Sequence, residues 1–310
     1  MIKKADFDLV IIGGGPAGLT AGLYAARAML NVILLEKAMP GGQVITTDWI
    51  ENYPGFPKGL SGADLVQNIT QQTKRFDLNI ESNEVISVDC SENVKKVRLA
   101  DRTITTYTII IATGASPRKL GIPGEDRFYG KGVSFCATCD GPFYKDLVVA
   151  AIGGGNTALQ ESLFLTKFAS KVYVIHRRDE LRATKILQER AFANNRIEII
   201  WDSVVTSING SLTNVENITI KNVKTEATKE LVVDGCFIWV GIHPNTEFLD
   251  GCVSLDESGF VIANLNMETS LPGVFVAGDV RNTPLRQIAT AVGDAAIAAF
   301  SAEHYIESIK

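Results

Sequence analysis

One local arrangement occurs twice in this chain of 310 residues, and it narrows the possible folds more than any other feature. In "FDLVIIGGGPAGLTAGLYAARAML" an apolar run leads into Gly13, Gly15 and Gly18, then into a stretch of helical periodicity with Pro16 and Ala17 in its first turn. Proline suits that turn because its missing N–H would have no partner there anyway. A second apolar run, "NVILLE", ends in Glu36. The segment "DLVVAAIGGGNTALQESLFLTKFASKVYVIHRRDELR" repeats the order with Gly153, Gly155 and Ala158, and with Asn156 and Thr157 opening the helix. At the end of its second strand, His176, Arg177 and Arg178 stand in the slot of Glu36, and Arg182 follows one turn on.

Strand, glycine turn, helix, strand and terminal charge together make a dinucleotide-binding fingerprint. The glycines let backbone approach a pyrophosphate, the helix N-terminus favours its charge, and an acid accepts hydrogen bonds from ribose hydroxyls. At the second copy a carboxylate would repel a phosphate on the ribose 2′ oxygen, whereas guanidinium groups would clamp it. The first site therefore suits FAD or NAD, and the second suits NADPH. The expected fold is α/β, with two Rossmann-like, three-layer ββα domains.

The chain is long enough for two cores. Between the fingerprints, "NVKKVRLADRTITTYTIIIATG" is β-rich; near the C-terminus another strand reaches "AGD" and a long helix follows. Breaks in the Gly/Pro-rich stretches at 114–125 and 241–249 place the second domain inside the first. The expected boundaries are 1–117 and 246–310 for the first domain and 118–245 for the insert. Within the insert, "VVTSING", "VENITIKNV" and "ELVVDGCFIWVG" are expected to form a small antiparallel meander.

The formal charge of −5, from 30 basic and 35 acidic residues, gives no reason to expect a nucleic-acid or anionic-membrane partner. Two lysines and an apolar run start the chain like a leader, but Asp6, Asp8 and the Gly/Pro cluster interrupt it, and no run approaches a membrane span. A cytoplasmic location is expected. Of five cysteines, Cys90, Cys236 and Cys252 stand apart and read as small buried hydrophobes. Cys136 and Cys139, with Asp140 next, form a Cys-x-x-Cys pair that is a structural staple, half of a metal site, or a reactive pair.

Taken together, Gly13–Gly18, "PGGQ" at 40–43, "ENYPGF" at 51–56, "ATG" at 112–114, "CATCD" at 136–140, "GGGNTA" at 153–158, "HRRDELRA" at 176–183 and "AGDV" with "RQ" between 277 and 287 resemble the bacterial-type, low-molecular-weight thioredoxin reductases. The resemblance covers nearly the whole chain in the family's order. Asn156 departs from it, since many relatives carry Asp there.

The resemblance implies a thioredoxin-disulfide reductase using FAD and NADPH. FAD would be held by Gly13, Gly15, Pro16, Ala17, Gly18, Glu36, Gly41, Gly42, Gln43, Asn52, Thr113, Gly114, Asp279, Arg286, Gln287 and Ile288. NADPH would be held by Gly153, Gly155, Asn156, Thr157, His176, Arg177, Arg178 and Arg182. Cys136 and Cys139 would form the redox-active disulfide, with Cys139 toward the flavin, Cys136 exchanging with thioredoxin and Asp140 moving a proton. Rotation of the inserted domain on its linkers, a homodimer, and no metal complete the picture. Zinc would need two further ligands, and His176, His243 and His304 do not supply a second pair at suitable spacing; a staple would close too short a loop to stabilise much. The competing readings are a flavin reductase serving another carrier, which would lack the cysteine pair, and a nucleotide-binding redox sensor without turnover.

Overall fold

The computed structural model describes residues 4–47 and 49–310, so the leader-like start at residues 1–3 lies outside the described residues. It divides into two compact units, Met1–Ser116 with His243–Lys310, and Pro117–Ile242.

The first unit begins with β1 (Phe7–Ile12), α1 (Pro16–Arg27), β2 (Val32–Glu36), α2 (Gly62–Lys74), β3 (Asn79–Ser82), β4 (Val85–Asp89), β5 (Lys95–Leu99) and β6 (Thr103–Ile111). Strands β3, β2, β1 and β6 lie side by side and parallel. Strand β6 serves two layers. Its first half pairs antiparallel with β5, which pairs with β4, through the partners Arg98–Thr103 to Lys95–Thr106. Its second half, Ile109–Ile111, is apolar at every position, as a strand covered on both faces must be. Ser61 caps α2 by accepting the Asp64 N–H at 3.0 Å. The chain then enters β7 (Ala115–Pro117).

The second unit contains β8 (Val133–Ser134), α3 (Ala137–Asp140), β9 (Val148–Gly153), α4 (Asn156–Leu165), β10 (Lys171–Ile175), α5 (Lys185–Phe192), β11 (Ile197–Ile200), β12 (Ser203–Gly210), β13 (Val215–Asn222), β14 (Thr228–Val232) and β15 (Gly235–Trp239). Five strands form a parallel sheet in the order β11-β10-β9-β15-β8. One face of it, with Ala150, Ile152, Cys236 and Ile238, packs on Val205, Ile208, Ile218 and Ile220 of an antiparallel layer. The other face, with Val149, Ala151, Val174 and Phe237, packs on Leu165 of α4. Helices on one side and a small β layer on the other make the ββα sandwich.

The meander differs from its expectation. Strands β12, β13 and β14 form it, but Gly235–Trp239 leaves to pair in parallel between β9 and β8. The reason lies in its residues: "GCFI" is buried throughout, which fits the middle of a two-sided sheet and not a half-exposed hairpin.

The chain returns through β16 (Ile242–Pro244), and β7 and β16 pair as a two-stranded ribbon. In the first unit Asn245 is tied to the end of β6: its N–H donates to the Gly114 carbonyl at 3.0 Å, its side-chain amide to the Thr113 carbonyl at 2.8 Å, and its own carbonyl accepts the Thr113 hydroxyl at 2.8 Å. In the second unit the Arg118 N–H donates to the Gly241 carbonyl at 2.9 Å. Finally β17 (Val274–Val276) joins Ile109–Ile111 in parallel, and α6 (Ile288–Ile309) lays Ala291, Ala295, Ala298 and Ala302 into the cluster that holds Ala17, Ala21 and Ala25 of α1. Side chains this small let two helices approach closely while β-strand residues Leu9, Ile11, Leu34 and Phe275 fill the space beneath.

One pair in this unit departs from the reading of its sequence. Cys90 and Cys252 are not solitary: their thiols are hydrogen-bonded neighbours, and the Cys252 sulfur also lies 3.7 Å from the Val88 carbonyl. Burial pushes the Cys90 thiol well up. Lys95 is 2% exposed, its ammonium donating to the Asn93 carbonyl at 3.3 Å and lying 5.5 Å from the Tyr305 ring; burial lowers its pKa. Among the described residues no helix is long and apolar enough to cross a membrane.

Candidate functional site

The first cradle forms where β1 ends. Gly13 has φ 105°, and a Cβ there would lie 2.4 Å from the Ala112 carbonyl oxygen, so only glycine fits. At Gly18 a Cβ would fall 1.7 Å from the Gly13 oxygen, which sets how closely α1 meets the strand. Gly15 precedes α1 with no side-chain cap, and a Cβ on it would meet nothing nearer than the Gly42 Cα at 4.0 Å. An uncapped helix start behind open space fits a pyrophosphate, whose oxygens would take the free N–H groups. Pro16 and Ala17 form the first turn; Gly41 is bonded back to the Gly14 carbonyl at 2.8 Å and brings Gly42 alongside.

Glu36, at the end of β2, accepts the Gly14 N–H at 2.7 Å and the Ala38 N–H at 3.0 Å. Its remaining lone pairs stay available to ribose hydroxyls. The far wall comes from the C-terminal segment. Asp279 is half-buried, and burial raises its pKa, opposed by the Arg286 charge and reinforced by Asp294. Among the described residues no donor reaches its carboxylate, a fit for a polyol hydroxyl. Arg286 is half-buried, its guanidinium 4.0 Å over the Phe260 ring and donating to the Asp279 carbonyl at 3.4 Å. Gln287 caps α6, which Ile288 opens, and the Gln287 side chain accepts from Asn52 at 2.7 Å. Gln43 donates to the Ala115 carbonyl, beside Thr113 and Gly114.

A brace under this wall carries no motif. Asp294, on α6, accepts the Gly278 N–H at 3.2 Å and lies 3.3 Å from Arg281 Nε, an ion pair too bent to be a hydrogen bond. Only the fold brings these residues together, so nothing local marks them.

Replacing Gly18 by alanine tests the cradle. The added carbon meets backbone, which cannot rotate away, so a loss of about 3 kcal/mol in stability is expected. Thermal melting and the flavin content of the purified protein measure it; an unchanged melt would mean that α1 can retreat from the strand.

The second cradle repeats the first. Gly155 precedes α4 uncapped, with nothing within 4 Å of a Cβ on it. The loop after β10 folds back over it: Arg182 N–H donates to the Gly154 carbonyl at 2.8 Å, and Thr184 N–H donates to the Asn156 side chain at 2.7 Å. Asn156 thus ties two loops, and Thr157 beside it is exposed. Arg177, Arg178 and Arg182 are all exposed and form no ion pair among the described residues, a fit for a phosphate between them. His176 does not stand with them. It is 5% exposed, its Nε2 lies 2.9 Å from the Glu180 carbonyl, and its ring occupies the space over Gly154. Burial lowers its pKa, with the carbonyls of Glu180 and Gly153 acting the other way. It packs the loop in place.

The cysteines sit in the same unit. β8 delivers Phe135 and Cys136, and Cys136 opens the single turn of α3 with a disulfide to Cys139. The Cys136 sulfur accepts the Cys139 N–H at 3.1 Å, and the Asp140 N–H donates to the Cys136 carbonyl at 3.2 Å. Cys139 is exposed, while Cys136 and Asp140 are half-buried. Behind them Tyr144 meets Phe237 edge-on at 5.3 Å; burial, then the Asp140 charge, pushes its phenol up to about 12. Among the described residues no three of His, Cys, Asp and Glu are grouped to hold a metal ion.

The family model described as pyridine nucleotide-disulphide oxidoreductase matches residues 7–295. A thioredoxin reductase of Peptoclostridium acidaminophilum is 41% identical over 97% of this chain and 98% of its own. That of Bacillus subtilis is 39% identical over 100% of this chain and 98% of its own. The solved thioredoxin reductase of Lactococcus lactis superposes with a TM-score of 0.95 at 42% identity, covering 98% of this chain and all of the other.

Proposed function

The chain belongs to the pyridine nucleotide-disulphide oxidoreductase family, and on that premise we infer that it is a thioredoxin-disulfide reductase using FAD and NADPH. One observation carries the reading: the Cys136–Cys139 disulfide, open at Cys139, lies on the unit that also carries three exposed arginines beside a glycine cradle.

In this reading the cradle at Gly13–Gly18, Glu36 and Asp279 hold FAD, and the cradle at Gly153–Thr157 with Arg177, Arg178 and Arg182 holds NADPH. Such a flavin supplies the uptake of a hydride from reduced nicotinamide and the release of an electron pair to a disulfide. Cys139 receives those electrons as its bond to Cys136 opens, and Asp140 moves the proton that leaves one sulfur a thiol. The Cys136 thiolate then attacks one sulfur of oxidised thioredoxin and expels the other. Cys139 displaces thioredoxin from the mixed disulfide, which closes Cys136–Cys139 again and releases a dithiol. The flavin cradle and the cysteines belong to different units, so the second unit turns about its two crossings between half-reactions. The same reading makes the cytoplasm the compartment and a homodimer the working form.

The test is spectroscopic. NADPH added without oxygen to the flavin-loaded protein bleaches its yellow absorbance, and oxidised thioredoxin restores it. Protein that takes up no flavin, or reduced flavin that thioredoxin leaves reduced, overturns the reading.

A further inference from the structure

The peptide bond that enters the reactive cysteine pair is held at both ends by side chains. The Phe135 carbonyl accepts the indole N–H of Trp239 at 3.1 Å, and the Cys136 N–H donates to the Ser134 hydroxyl at 3.0 Å. Neither group is free to do otherwise. Ser134 is 4% exposed, and its hydroxyl turns back to the Cys136 carbonyl at 3.2 Å, so every partner it has belongs to Cys136. The Trp239 ring is stacked on Phe237 with centroids 5.7 Å apart and planes 20° apart, and Phe237 is wedged by Tyr144. That stack aims the indole N–H.

The clamp is built by the sheet. Phe237 pairs with Ser134 across β15 and β8, and Trp239 follows at the end of β15, so one strand supplies the indole and the other the hydroxyl. Downstream of the clamped peptide, Cys136 has an extended backbone, φ −131° and ψ 102°, and its sulfur faces the Cys139 N–H.

We propose that Ser134 and Trp239 are positioning residues that set the redox poise of the Cys136–Cys139 pair by fixing the Phe135–Cys136 peptide. In the reduced pair the Cys139 N–H donates to a thiolate at Cys136, a charge-assisted bond stronger than the one the disulfide sulfur receives. Aim matters most in that state, so the clamp favours the reduced form and makes the disulfide the easier one to reduce. Loss of either arm lets the peptide rotate, the N–H loses its target, and the disulfide becomes harder to open. The inference takes from the proposed function only that this pair is the reactive one.

The test equilibrates flavin-loaded wild type, Ser134→Ala, Ser134→Thr and Trp239→Phe with dithiothreitol buffers of defined ratio. The reaction is protein disulfide plus dithiol giving protein dithiol plus cyclic disulfide. Thiols are trapped with a maleimide and counted by mass spectrometry on the peptide spanning 136–139. Trp239→Phe keeps the ring stack and removes the N–H; Ser134→Thr keeps the hydroxyl. The equilibrium constant for reduction is expected to fall about tenfold in Trp239→Phe and Ser134→Ala, about 30 mV for this two-electron couple, and to stay near wild type in Ser134→Thr. The pH at which Cys136 becomes reactive to alkylation rises in the same two variants, while their affinity for NADPH holds.

Wild-type constants in Trp239→Phe overturn the inference even if Ser134→Ala fails to fold. So does a fall matched by an equal loss of NADPH affinity, which would mark general loosening. Failure of the underlying reading shows elsewhere, as full thioredoxin turnover in Cys139→Ser, and leaves the measured constants to judge the clamp alone.

Discussion

Serine in place of Cys139 is expected to remove thioredoxin reduction, by roughly 10³-fold or more in kcat, while NADPH still bleaches the flavin at its ordinary rate. The separation follows from where the groups sit. The two glycine cradles and the three arginines are independent of the cysteine side chains, whereas the exchange chemistry has no second route: Cys90 and Cys236 are buried with their thiols pushed up, and Cys252 is a free thiol that donates to the Val88 carbonyl. The same variant is expected to accumulate a covalent adduct with thioredoxin through Cys136, because the thiol that would resolve it is gone. Stopped-flow absorbance and mass spectrometry of the adduct provide the readout. An adduct seen instead at Cys139 in Cys136→Ser, and absent in Cys139→Ser, would reverse the two roles.

The second large effect concerns coenzyme choice. Alanine at both Arg177 and Arg178 is expected to raise the KM for NADPH by about 100-fold while leaving that for NADH within a small factor. A charge-assisted hydrogen bond contributes about 1.5–3 kcal/mol, and the exposure of these side chains argues for the lower end, so two of them come to about two orders of magnitude. Salt supplies an internal control, since added salt weakens NADPH binding to wild type far more than to the variant. Steady-state kinetics with both coenzymes at low and high salt measures this. Equal losses for NADPH and NADH would place the 2′-phosphate elsewhere.

What the sequence makes legible are features whose physics is local. Gly13, Gly18 and Gly155 are readable because each marks a spot where a side chain is sterically forbidden or a ligand needs room, and Arg177, Arg178 and Arg182 because charge on one short loop needs no fold to gather it. His176 sits in the same string of residues, yet its ring turns inward; one side chain pointing the other way along a loop is invisible in spacing. The strand Gly235–Trp239 was open to misplacement because a short apolar run fits either a hairpin or a covered sheet, and only its neighbours β8 and β9 decide. Trp239, Asp294 and the pairing of Cys90 with Cys252 act across the fold, joining segments that nothing in composition connects.

The sheet of the first unit takes its last strand, β17, and its covering helix, α6, from beyond the insert. On a ribosome this imposes a schedule. At 5–20 residues per second, roughly 10 to 40 s separate the emergence of Ser116 from that of Ile309. Throughout that interval Ala17, Ala21 and Ala25 have no α6 to cover them, and Ile109–Ile111 lack a neighbour on one edge. The inserted unit holds all of its own strands and finishes first. The nascent chain therefore matures from the middle outward, and the wall that Asp279 lends to the first cradle is among the last parts to arrive.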